Sequence, residues 1–66
     1  MIEFNRMCEA VNFFKFQYGD VESTESAFIT FLCGHFHSYP KAMNDVLKEM
    51  MNAGLVSVKD GMVKVV

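Results

Sequence analysis

The sequence predicts a small, mostly α domain with three helices and a C-terminal β-hairpin. Three observations carry this. Met43, Val46, Leu47 and Met50 recur at i, i+3, i+4 and i+7, one stripe of a helical period. Gly54 follows the last residue of the stripe, where a left-handed residue closes a helix. Asp60-Gly61 then divides a valine-rich segment, and this dipeptide accepts positive φ at both central positions of a type I′ turn.

The first helix is expected over about residues 3–18. Phe4, Met7, Val11, Phe14 and Tyr18 share one stripe, flanked by Cys8 and Ala10, and Gly19-Asp20 ends it. Ile2, Phe13 and Phe16 point the other way, among Arg6, Glu9 and Gln17. Those three are either covered by another element or form a protein-contact patch. Residues 20–26 are polar and acidic and read as a loop leading into a helix start. There Ser23 or Thr24 caps, and Glu22 and Glu25 suit the positive helix end.

The second helix is expected over about 24–34, with Ala27, Phe28, Phe31 and Leu32 on its apolar face and Gly34 ending it. A linker from Gly34 to Tyr39 leads to Pro40, whose fixed φ suits a first helical position. Ser38 or Tyr39 would cap the third helix, expected over about 40–53, and Ser38 has the side-chain oxygen for it. Hairpin strands follow within 55–66. The turn at Asp60-Gly61 sets Lys59 opposite Met62, Val58 opposite Val63, Ser57 opposite Lys64 and Val56 opposite Val65. One face is then all valine and the other Ser57, Lys59, Met62 and Lys64, the pattern of a ribbon with one buried side. An isolated hairpin is marginal in water, so this one must lie on the helices.

Sixty-six residues make one domain near the small end of what folds without staples. Its stability should be roughly 3–10 kcal/mol. The chain is 52% hydrophobic with seven Phe and six Met, so the sequence leaves self-association open, a homodimer first. Cys8 and Cys33 form no disulfide framework, and their spacing favours no bridge. No basic-then-apolar leader opens the chain, and no apolar run approaches the ~20 residues that span a bilayer. The expectation is a cytoplasmic chain with free thiols and no membrane segment.

Formal charge is −2, unevenly placed. Residues 1–30 carry Arg6 and Lys15 against five carboxylates. Residues 31–66 carry Lys41, Lys48, Lys59 and Lys64 against Asp45, Glu49 and Asp60. Any polyanion would therefore meet the C-terminal half, although the acidic total opposes strong non-specific nucleic-acid binding.

Cys33-x-His35-x-His37, with Cys8 in reach, has ligand chemistry for zinc. The paired spacing of zinc sites is absent, and the expectation is a solvated loop beside a half-buried cysteine, with no metal and no cofactor. A Cys–His nucleophile pair would need a held base and a substrate pocket, for which so short a chain offers little room. The chain is expected not to be an enzyme. Met43 and Met50 lie on the core stripe, whereas Met51 lies on the flank near Asn44 and Lys48, where an adaptable protein contact would suit it.

The segment NDVLKEMMNAGLVSVKDGMVKVV, residues 44–66, resembles the winged helix-turn-helix superfamily, and the three-helix order upstream agrees. The resemblance implies a DNA-binding protein, a transcriptional regulator acting as a homodimer, with the third helix in the major groove and the hairpin as wing. Carried over by position, the reading face is Lys41, Asn44, Asp45, Lys48, Glu49 and Asn52. Lys41 and Lys48 would meet phosphates, Asn44 and Asn52 would present amides to adenine edges, and Lys59 and Lys64 would be wing contacts on double-stranded DNA. The alternative is a winged-helix-like protein-interaction or dimerisation module without nucleic acid. It draws on the acidic charge, the equal numbers of lysines and carboxylates on that face, and the surface candidates Ile2, Phe13, Phe16 and Met51.

Overall fold

A computed structural model describes residues 2–66. The elements run α1 (Phe4–Tyr18), β1 (Ser23–Thr24), α2 (Glu25–Phe36), α3 (Pro40–Asn52), β2 (Val56–Lys59) and β3 (Met62–Val65). The protein is thus a small three-helix domain with a C-terminal hairpin, and the hairpin belongs to a three-stranded antiparallel sheet of order β1-β3-β2. Among the described residues no helix is long and apolar enough to cross a membrane.

Pro40 occupies the first turn of α3, and Met43, Val46, Leu47 and Met50 are all buried, as the stripe requires. The helix closes on a Schellman turn: Gly54 N–H donates to Met51 O at 3.1 Å and Leu55 N–H to Met50 O at 2.9 Å, with Gly54 at φ 77°. This turn delivers Val56 into the core within four residues of the helix end. The hairpin has the register set by its turn, Lys59↔Met62 through Val56↔Val65, with Asp60 at φ 53° and Gly61 at φ 76°. Val56 and Val63 are buried, and Ser57, Lys59 and Lys64 are exposed.

The centre of the core lies where α2, α3 and β3 meet, at the fully buried Phe28, Leu32, Met50 and Val63. Met7, Ala10, Val11 and Phe14 of α1 cover it from one side. Aromatic rings join α1 to α2: Phe14 lies edge-on to Phe28 at 5.1 Å and to Phe31 at 5.0 Å. Phe4 and Tyr18, at the ends of the α1 stripe, are exposed because the core is shorter than the helix. On α2 the buried set is Phe28, Ile29 and Leu32. Ala27 is exposed and Phe31 half-buried, so the apolar face is turned by about one residue from the expected one.

Three local expectations are corrected. Residues 20–26 do not form only a loop, since Ser23 pairs with Val63 and Thr24 with Met62 as a short third strand. A two-residue strand has no alternation to read, and only its partner defines it. Thr24 also caps α2, its Oγ1 accepting from Ala27 N–H at 3.1 Å. Ser23 shares the inward side with Val63, and its buried Oγ finds no hydrogen-bond partner among the described residues.

Second, α2 does not stop at Gly34. It runs on to Phe36, and His37 closes it in the left-handed region at φ 53°. Packing of Phe36 against the core and of His35 between rings offsets the ~1 kcal/mol that a helical glycine costs. Third, of the two cap candidates for α3 it is Tyr39 that stands at the cap position, without a side-chain bond, while Ser38 N–H donates to Cys33 O in the closing turn of α2.

These two glycines should respond oppositely to alanine. Gly34 is helical with open space where a Cβ would go, so Gly34→Ala should stabilise by about 0.5–1 kcal/mol. At Gly54 the backbone is left-handed, and Gly54→Ala should cost about 1–2 kcal/mol. Thermal melts should show Tm moving up for the first and down by several degrees for the second. A fall in Tm for Gly34→Ala would contradict the helical assignment of that residue.

Candidate functional site

The outward face of α3 follows from its inward one. With four residues of the stripe in the core, Lys41, Asn44, Asp45, Lys48 and Asn52 are left in solvent. Glu49 is half-buried. The six are therefore not one uniform surface. Asp45 and Glu49, one turn apart, both line a cleft toward the start of α1, whereas Lys41, Asn44, Lys48 and Asn52 do not. The two carboxylates share the cleft flank, Asp45 also standing one turn from both Lys41 and Lys48, and the lysines alternate with the asparagines beside it. Among the described residues the one ion pair within 4 Å is Lys15 Nζ–Asp20 Oδ1 at 3.5 Å, so Lys41 and Lys48 are not held by Asp45 or Glu49.

Lys59 and Lys64 lie on the outer face of the sheet, at diagonal positions of the β2–β3 ladder, with half-buried Met62 opposite Lys59. The hairpin is not a free arm. Its central strand β3 is paired on both sides, and Gly61 O in the turn accepts from Glu25 N–H at 3.1 Å, which ties the tip to the start of α2. The lysines are thus presented on a rigid support.

The protein-contact candidates separate in the structure. Phe16 is 92% exposed, and Phe13 is 49% exposed while stacked on Phe31 at 6.2 Å and tilted against His35 at 5.6 Å. Met51 is 42% exposed on α3. Ile2 is half-buried and packs on the core. Phe13, Phe31 and His35 line a shallow groove together with Gln17, Tyr18, Thr30 and Gly34.

Cys33, His35 and His37 do not converge, and among the described residues no three His, Cys, Asp or Glu side chains are placed to hold a metal ion. His35 is not on a solvated loop. It sits in the last turns of α2, stacked on Phe31 at 5.7 Å and edge-on to Phe36 at 4.8 Å. Both cysteines are free and half-buried.

Sequence reasoning missed the cleft on the flank of α3. Its walls come from the first turn of α1, the end of α2 and the first turns of α3, including Arg6, Phe36, Ala42 and Val46. Those residues are scattered in sequence, and only the Asp45–Glu49 spacing hinted that two carboxylates share a side. No protein-family model, curated protein or solved structure matches the chain.

Proposed function

We propose that this chain is a small DNA-binding protein of winged-helix type, acting as a transcriptional regulator and binding as a dimer. In this reading α3 enters the major groove and the hairpin is the wing. The observation that carries it is the sorting of charge on α3. A face with equal numbers of lysines and carboxylates gains little from phosphate. Here the carboxylates stand along one flank, and Lys41, Asn44, Lys48 and Asn52 form a contiguous strip free of ion pairs among the described residues. Lysine suits phosphate and asparagine suits an adenine edge, so the strip combines positioning with readout. Lys59 and Lys64 on the braced hairpin add two further phosphate contacts.

Four lysine contacts per protomer set the expected salt dependence. With eight such contacts in the dimer, fluorescence anisotropy with random duplex DNA should show affinity falling about 10,000-fold between roughly 50 and 200 mM salt. Replacing Lys41 and Lys48 together by Gln removes four contacts from the dimer and should weaken binding to all sequences and flatten the log–log slope by about four. Unchanged affinity in the double variant would remove α3 from the interface.

A second reading, a protein-interaction or dimerisation module, is favoured by one observation. Phe16 stands almost wholly in solvent beside the half-exposed Phe13, an apolar step that a lone domain gains nothing by exposing. Sedimentation equilibrium should then show concentration-dependent dimers that Phe16→Gln disrupts without lowering Tm. A wild-type chain that stays monomeric at high concentration would end the dimer version of both readings.

A further inference from the structure

The cleft beside α3 holds charged groups that neither reading uses. Its volume is about 460 Å³, inside the range of roughly 300–1,000 Å³ that small-molecule sites occupy. Arg6 stands on one side, and Asp45 and Glu49 on the α3 side, over an apolar surface that includes Ile2, Phe36 and Val46. The Arg6 guanidinium lies 5.4 Å from the centroid of the Phe36 ring, a cation–π contact that helps hold it at the cleft.

What distinguishes the cleft is that its opposite charges are not joined in ion pairs among the described residues. Among the described residues Arg6 forms no ion pair within 4 Å with Asp45 or Glu49, and none of the three makes a side-chain hydrogen bond. A purely cationic ligand would be drawn to the carboxylates and repelled by Arg6. A purely anionic one would meet the reverse. A ligand carrying both charges a few bonds apart satisfies both walls at once.

We propose that this cleft binds a free α-amino acid with an apolar side chain. Arg6 takes the α-carboxylate, for which its planar fork of donors is suited. Asp45 and Glu49 take the α-ammonium, and the side chain lies on Ile2, Phe36 and Val46. The site is open and the ligand small, so the dissociation constant should be roughly 0.1–10 mM. The inference is independent of DNA binding.

The test is a ¹H–¹⁵N NMR titration of the intact chain with L-phenylalanine, L-leucine and L-methionine. Phenethylamine and 3-phenylpropionate serve as probes that keep one charge each. Saturable shifts should gather on the amides of Arg6, Asp45, Glu49 and their neighbours. Each single-charge probe should bind at least about tenfold more weakly than phenylalanine, and Arg6→Met and Glu49→Gln should each weaken phenylalanine by about tenfold. Spectral dispersion reports whether those variants remain folded, and the comparison of probes needs no variant. No saturable shift with any of the three amino acids would overturn the proposal. So would phenethylamine or 3-phenylpropionate binding as tightly as phenylalanine, or shifts centred on the Phe13 groove.

Discussion

The junction between α3 and the hairpin is the constraint on which the rest of the structure depends. Met50 is the last buried residue of the helix and Val56 the first of the sheet, and both belong to the cluster around Phe28, Leu32 and Val63. Only a sharp left-handed reversal brings them together, and the two hydrogen bonds around Gly54 make it. Once Val56 is placed, the type I′ turn at Asp60-Gly61 fixes the register of β3, because a slip of one residue would turn every valine outward. The inward face of α3 and the inward face of the sheet are thereby set together. So are the two outward faces, which carry Lys41 and Lys48 on one element and Lys59 and Lys64 on the other.

A hairpin of two four-residue strands is marginal by itself, and β1 solves this with two residues. By pairing with β3 it makes the second hairpin strand central, and its Thr24 then caps α2. The bond from Glu25 N–H to Gly61 O fastens the turn to the same helix start. One short segment therefore closes the sheet, begins a helix and braces the hairpin tip. The cost is Ser23, whose hydroxyl faces the core side without a partner among the described residues.

Patterns that depend on local geometry were legible in the sequence. The α3 stripe, its glycine closure and the hairpin register all stand as the residues suggest, because each is decided within a few residues by period or by φ. Features decided by distant partners were not. Gly34 looks like a helix end until the rings of Phe31 and Phe36 show what the extra turn of α2 packs His35 against. Ser23-Thr24 looks like loop until β3 is beside it. Phe13 and Phe16 share the outer side of α1, yet only Phe13 gains a stacking partner from α2. For the candidate site, the sequence supplied the members of the α3 face but treated their charges as one sum. The split between a lysine–asparagine strip and a carboxylate flank requires Arg6 and Phe36, which are remote in the chain.

The functional account joins a helix strip to a braced hairpin as one surface for duplex DNA. The most direct test is to map that surface by NMR, following the amide spectrum as random duplex DNA is added at low salt. The account predicts that the largest perturbations fall on Lys41, Asn44, Lys48 and Asn52, with a second group at Lys59 and Lys64 and little change along the α1–α2 aromatic seam. Perturbations centred on Phe13 and Phe16, or a spectrum unchanged by DNA, would contradict it.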